Sequence, residues 1–466
     1  MKKKFIAIFA LILMSVSAYR PAMAQSLLRD AETENFLIEI TRPIFLAAGL
    51  TPENVRIYLV HDNSINAFVV GGQNIFIHSG LLLEVETVNQ LLGVLAHETG
   101  HISAGHLRRR DDMARGPANM SIISMVLGAA AIAAGSGDAG IALIAGGQGF
   151  AQRTYLKFNR AQESAADQAG ARFLDKSGIS GRGIIEFFNI LRTTENIRGA
   201  NLDPYIRSHP LNSDRMTALD FGVRNSPYYD TPPNPQWQNR LERIQGKLSG
   251  YVKQPKETYS LYPTSDESME ARYARAYAYN KDLEWDLALT EIDKMIEAEP
   301  NSAYFYEIKG QILLENHRLD ESIIAFRRAV DLAPKEPLIL TALGQSLVAS
   351  ENPNNMEEAK DILKLSTALD KENSFGWYNL AIAYTNLEKP YLAALATAER
   401  YSVLGNPQFA VLHAENALKG LKEYTPEWLR AQDILYINEV RAKKENKEER
   451  KANVKTGFTF QKPQTQ

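Results

Sequence analysis

The chain has 466 residues, no cysteine, eight histidines and a formal charge of -3. That length accommodates two or three domains with proper cores. Without cysteine, disulfides and thiolate chemistry are excluded and any metal must be held by His and carboxylates; the mildly acidic balance gives no basis for nucleic-acid binding.

The N-terminus reads as an export signal. Lys2-Lys3-Lys4 precedes an apolar run from Phe5 to Val16, and Ala22-Met23-Ala24 forms a small-residue cleavage site, so 1–24 is the signal peptide, cut after Ala24. The apolar run is too short for a comfortable membrane span. Without the four basic residues of this segment the remainder carries -7. The expectation is a soluble protein exported to a bacterial periplasm.

Residues 27–50 place Phe36, Leu37, Ile40, Ile44 and Phe45 at helical spacing, with Pro43 expected to kink or break the helix. Val55 to Val60 alternates as a strand. Ala67 to Val70, Gly71-Gly72 and Gln73 to Ile77 predict a β-hairpin turning at the glycine pair. Phe68, Val69 and Val70 are candidate substrate-binding residues, because an edge strand can hydrogen-bond an extended peptide through main-chain groups alone. An ordinary structural hairpin has the same sequence pattern.

Next comes His97-Glu98-Thr99-Gly100-His101, after the apolar run Leu91 to Ala96. On a helix over 87–110 the two histidines are four apart on one face, where both imidazoles can reach a single zinc ion. Glu98 projects beside them as the general base for water attacking a peptide carbonyl, later handing its proton to the leaving amine. His106 lies five residues after His101, with Ala104 where a metzincin needs glycine, so that reading fails. Residues 120–148 are rich in Gly and Ala and broken at Gly135 to Asp138; they predict a hairpin of two short apolar helices, either core or a patch for peripheral membrane or client contact.

Further on, Glu163 and Asp167 share a helical face. Glu163 is the candidate third metal ligand. Asp167 is the candidate partner for the far nitrogen of a ligand histidine, fixing its tautomer. The segment Arg207 to Arg215 puts His209-Pro210 on a turn before a helix capped by Asn212 or Ser213. His209 is read either as a gating fourth ligand or as a hydrogen-bond donor to the tetrahedral intermediate. Arg215 is placed with Asp167 around the ligands.

Together these residues resemble the gluzincin peptidases related to the HtpX heat-shock proteases and the CAAX prenyl proteases, over roughly residues 27–225. Such enzymes carry H-E-x-x-H, a downstream E-x-x-x-D and a later His-Pro, matched here at His97, Glu98, His101, Glu163, Asp167, His209 and Pro210. The resemblance implies one zinc ion per chain on His97, His101 and Glu163, with Glu98 as acid/base. Those relatives are integral membrane proteins, whereas this chain lacks a spanning run.

Beyond Asn225 the composition changes. Residues 226–268 form a Pro-rich linker with a short helix at 237–248. From 269 the chain repeats with a period of 34: Pro300 and Pro334 close two helix pairs, and Ala276, Gly310 and Gly344 occupy the small position where paired helices touch. This resembles tetratricopeptide repeats, four of them at 269–302, 303–336, 337–373 and 374–407, with a degenerate pair at 409–443 capping the stack. After 443 a charged tail is a frayed helix end or disordered.

The fold expected is thus mainly α with a small β-sheet: an α+β gluzincin-type catalytic domain at 25–225, followed by an all-α repeat solenoid at 269–443. Signal, zinc core and repeats together resemble the periplasmic outer-membrane assembly peptidases. That implies unfolded or misassembled β-barrel proteins as substrates, chaperone activity through the repeats, and the barrel-assembly machinery as partner. The rival is a zinc-containing chaperone or assembly adaptor with little proteolysis.

Overall fold

The computed structural model describes residues 27–105, 160–198, 204–210 and 213–456. The export signal, the apolar stretch 120–148, His106, Asn212 and the last ten residues lie outside these. Among the described residues, 30–33 and those from 242 onward form one compact unit, and the rest form another. Among the described residues the architecture is mainly helical with one four-stranded sheet, and no helix there is long and apolar enough to cross a membrane.

In the first unit the sheet contains β1 (Leu27–Leu28), β2 (Arg56–Val60), β3 (Ala67–Val70) and β4 (Asn74–His78). Their order is β1-β2-β4-β3; β2 and β4 run parallel and the other pairs antiparallel. The hairpin turns at Gly71 and Gly72, whose φ values of 61° and 105° suit residues without a Cβ. β3 is an edge: its Val69 points into the core, while Val70 is exposed.

The helix expected over 27–50 is α1 (Ala31–Ala47), and its first residues are instead strand β1. Pro43 neither breaks nor ends it. It sits in the last turns, where the lost hydrogen bond is single and few residues follow. After β4 come α2 (Ser79–Glu84) and α3 (Val88–Ser103). Thr87 caps α3 by accepting a hydrogen bond from the Gln90 amide, and Gln238 takes the Val88 amide at 2.8 Å. The helix stops at Ser103, short of the predicted 110, because Ala104 and left-handed Gly105 (φ 64°) turn the chain.

Leu91, Leu92, Val94 and Leu95 of α3 are fully buried, each such side chain contributing about 1.5–3 kcal/mol of burial. α3 packs against α4 (described over 160–176) and α5 (Arg182–Arg198). Two glycines permit the approach to α4: a Cβ on Gly100 would lie 2.6 Å from the Ala166 carbonyl, and one on Gly170 3.0 Å from Ala96. The short α6 (Pro204–Ser208) and α7 (Ser213–Arg224) bracket the His-Pro turn.

The stretch read as a linker is more ordered than its composition suggested. α8 (Pro235–Val252) extends the short helix at both ends, and α9 (Pro255–Leu261) follows. Apolar Leu241, Ile244 and Leu248 recur at helical spacing inside α8 and are buried.

From 269 onward helices alternate in pairs: α10 (Met269–Lys281) with α11 (Trp285–Ala298), α12 (Ala303–Glu315) with α13 (Leu319–Leu332), α14 (Pro337–Ala349) with α15 (Met356–Leu369), α16 (Ser374–Asn386) with α17 (Pro390–Val403), and α18 (Pro407–Leu418) with α19 (Pro426–Thr456). Each helix packs on the next. The turns carry the same spacing as the sequence repeat: a left-handed residue recurs at Leu283, His317, Glu351 and Glu388, with φ between 51° and 63°. The three extra residues before Glu388 accommodate a short 3₁₀ turn, Pro353–Asn355. The charged tail remains helical as far as Thr456.

Candidate metal centre

Four elements bring the chemistry together. α3 supplies His97, Glu98 and His101, α4 supplies Glu163 and Asp167, the turn after α6 supplies His209, and α7 supplies Arg215. All seven are buried, between 0% and 9% exposed. The close approach at Gly100 and Ala166 explains how α4 reaches: Ala166 lies between the two carboxylates that must meet the imidazoles of α3.

His97 Nε2 lies 3.1 Å from His101 Nε2, 3.4 Å from Glu163 Oε2 and 3.2 Å from His209 Nδ1. His101 Nε2 is 3.5 Å from Glu163 Oε1, and His209 Nδ1 is 2.9 Å from Glu163 Oε2. A tetrahedral ion with bonds of about 2.0–2.1 Å has ligand-to-ligand edges of roughly 3.4 Å, which is the scale of these separations. Three imidazole nitrogens and a carboxylate converging on one point form a donor set that a shared cation can occupy. His97, His101, Glu163 and His209 therefore fit a metal ion.

The surroundings orient this set. Arg215 holds Asp167 with two hydrogen bonds, Nε to Oδ2 at 2.7 Å and a second at 2.9 Å to Oδ1, and also donates to the Pro210 carbonyl at 2.7 Å. Asp167 Oδ1 lies 2.9 Å from His97 Nδ1. That contact places the proton on Nδ1 and leaves Nε2 bare toward the cluster. Burial opposes charge on His97, yet its hydrogen bonds and attraction to Asp167 and Glu163 push the imidazole up to about 10, so the carboxylates draw a cation to Nε2, either a proton or a metal ion in its place. Burial likewise opposes ionisation of Glu163 and Asp167, but the facing histidines and Arg215 hold both carboxyls below their usual range.

Glu98 differs. Its two oxygens are buried and make no hydrogen bond to the protein, and burial raises its pKa. The nearest cation candidate is His209 Nε2, 3.6 Å away. A carboxylate left unpartnered beside a metal cluster is what a proton acceptor for a bound reactant requires.

Every metal, acid/base and supporting residue expected from the sequence is thus in one cluster. The exception is the trio Phe68, Val69 and Val70, which lies on the edge strand β3, packed against α3. Tyr205 was missed. Its ring packs on His209 at 4.8 Å between centroids and edge-on to Phe187, and its buried hydroxyl has no partner. The signal was an aromatic residue one helical turn before His209.

This is the constellation of a metallopeptidase: two histidines and a carboxylate converging, with a free glutamate at hand. Residues 8–221 match the family model for peptidase family M48, and with its similarity to known proteases the chain is a metalloendopeptidase. It is similar to the beta-barrel assembly-enhancing protease of Escherichia coli (strain K12), 25% identical over 377 residues that cover 78% of this chain and 74% of that one. It is also similar to the metalloprotease YcaL of the same organism, 30% identical over 35% of this chain and 60% of that one, and to the mitochondrial metalloendopeptidase OMA1 of Schizosaccharomyces pombe, 23% identical over 40% and 52%.

Proposed function

We propose that the chain is a periplasmic zinc endopeptidase that hydrolyses unfolded or misassembled proteins, with outer-membrane β-barrel proteins as its clients. The observation that carries the zinc assignment is the donor set: His97, His101 and Glu163 with no sulfur ligand, at edges suited to a small tetrahedral ion. Zinc bound there supplies Lewis-acid polarisation of the scissile carbonyl and of the attacking water. Glu98 takes the water proton as the oxygen attacks the carbonyl carbon, then delivers it to the amide nitrogen as the C–N bond breaks. Asp167, held by Arg215, keeps His97 in the ligating tautomer.

His209 stands where a fourth ligand would, so the resting arrangement is closed and must open to admit substrate. β3, an edge strand lying against α3, suits an extended substrate bound through main-chain groups, which favours unfolded chains over a side-chain motif. The tetratricopeptide-like helix pairs act as the client-selecting and chaperone part. The barrel context and the periplasm are supported by the similarity to the beta-barrel assembly-enhancing protease and by the signal-like N-terminus. A partner machinery docked on the helix pairs completes this reading.

The closed four-ligand arrangement also favours a second reading, a zinc-containing assembly adaptor with little proteolysis. Casein cleavage by the zinc-loaded full chain, beside Glu98→Gln, decides between them. Cleavage by the parent and none by the variant is expected. Zinc bound in both with cleavage by neither would favour the adaptor.

A further inference from the structure

The helix pairs present two columns of side chains generated by the repeat. Stepping by the 34-residue period, with the three-residue insertion before the fourth pair, one column is Tyr273, Glu307, Thr341, Tyr378 and Leu412. The other is Glu270, Tyr304, Leu338, Phe375 and Phe409. Equivalent positions in a solenoid lie on one continuous face.

The two ends of these columns are used differently. In the first three pairs the positions are engaged within the unit. Tyr273 is buried and donates to Glu32 at 3.0 Å, and Tyr304 and Leu338 pack around Ala31 with Ala303, Ala329 and Ile339. Thr341 is buried in a hydroxyl contact with Ser366. The residues gripped are the chain's own segment 30–33, which belongs to this unit: apolar Ala31 sits beside acidic Glu32, bound by Arg243 at 2.6 Å, and Asp30, bound by Lys247. In the last two pairs the same positions are open, with Phe375 46%, Tyr378 41%, Phe409 47% and Leu412 48% exposed.

The open end also carries an unused charge. The Arg400 guanidinium lies over the Tyr378 ring at 4.7 Å and the Tyr401 ring at 5.6 Å, and no carboxylate among the described residues pairs with it. Its neighbour Glu399 is taken by two hydrogen bonds from Arg430. Tyr401 in turn stacks on Phe409 and on His413. Burial lowers the His413 pKa, leaving the imidazole neutral at pH 7 and Arg400 as the cation of the patch.

We infer that this face is a docking surface for an extended polypeptide segment in which large apolar side chains flank a carboxylate, the carboxylate pairing with Arg400 while the flanking side chains cover Phe375, Tyr378, Phe409 and Leu412. Charge complementarity at Arg400 argues for the acid. At the other end the same columns already hold polypeptide, Tyr304 and Leu338 packing by Ala31 and Tyr273 donating to the Glu32 carboxylate. This builds on the reading of the helix pairs as the client-selecting part, and it names what they select.

The test measures fluorescence anisotropy of a labelled peptide of about ten residues, with one Asp between two Phe, against its Asp→Asn counterpart. The protein is the full chain with Glu98→Gln, which prevents cleavage. The Asp peptide is expected to bind about tenfold more tightly than the Asn peptide. Arg400→Gln should erase that difference, and Arg400→Lys should restore part of it, which separates lost charge from lost fold. Equal binding of the two peptides to the parent overturns the proposal, as does a preference that survives Arg400→Gln. A dimer in sedimentation velocity that dissociates on Phe375→Ser with Phe409→Ser would also overturn it, assigning the face to a second copy. Casein cleavage by chains with Glu98 intact is read separately, so loss of peptide discrimination and loss of the peptidase reading are distinguishable.

Discussion

Two glycines show how differently the two regions of this molecule are held. At Gly100 in the metal helix, an added Cβ would meet the backbone of Ala166 at 2.6 Å. At Gly344, among the helix pairs, its nearest contact would be the Leu363 side chain, at 2.4 Å. Backbone cannot step aside, whereas a leucine can change rotamer at modest cost. At these two points the metal centre is fixed by main chain against main chain, with ligands on both sides of the contact, and the third helix pair by side-chain packing. Around the metal ligands buried charge forms a chain of contacts, Arg215 to Asp167 to His97, while the neighbouring Glu98 is left without a hydrogen-bond partner.

The largest effect expected from breaking this arrangement is at Glu98. Glu98→Gln should lower peptidase activity by about a thousandfold, the scale of a lost general base, while its melting temperature stays level or rises. A buried carboxylate with no hydrogen bond destabilises the fold, so an amide there costs little. A large loss of melting temperature would mean that Glu98 has a structural partner. The glycine contrast is tested by matched substitutions followed by denaturant unfolding and metal affinity. Gly100→Ala should destabilise by about 2–4 kcal/mol and weaken metal binding, and Gly344→Ala by only ~1 kcal/mol with metal binding unchanged. Equal costs would erase the distinction.

A pH effect belongs to the second unit. Glu307 has one carboxyl oxygen sealed from solvent without a partner. Burial pushes its pKa up to about 8 against the attraction of Lys247, with Asp30, Glu336 and Glu32 adding to the rise. The unfolded chain therefore releases this proton at lower pH than the folded one. The residue's contribution to stability is full below about 4.5, falls as pH rises toward 8 and is level beyond, a loss of at most roughly 5 kcal/mol. Glu307→Gln should flatten that slope in urea unfolding across the same range. The smallest effect is at His209. If it closes the fourth position, His209→Ala should raise basal casein cleavage by about threefold, each tenfold being only 1.4 kcal/mol. A fall in kcat instead would assign it to the developing oxyanion.

Much of the site was legible because its chemistry is local. His97, Glu98 and His101 lie within five residues, and helical geometry alone puts the two imidazoles on one face. Glu163 and Asp167 were legible as a helical pair, and His209 as a turn histidine, but which atoms meet was not. Nothing in the spacing showed that His209 turns Nδ1 to the ligands and Nε2 toward Glu98, or that Arg215 fastens Asp167 with two bonds. Tyr205 escaped because a lone aromatic on a five-residue helix has no periodicity to read. Composition gave α8 only as a short helix at 237–248 within a linker, for a related reason. The prolines before it and its polar residues look like a linker until the buried Leu241, Ile244 and Leu248 are seen to share a stripe.

The sequence by itself determined the helix pairs, their 34-residue period and the metal-binding helix, since each depends on contacts between residues a few places apart. Long-range outcomes came from the tertiary structure: the meeting of α4 and the His-Pro turn with α3, the edge position of β3, and the use of two repeat columns to hold residues 30–33 while their far ends stay open. Those outcomes depend on which surfaces find each other after loops of unrelated length have closed, and residue spacing carries no record of that.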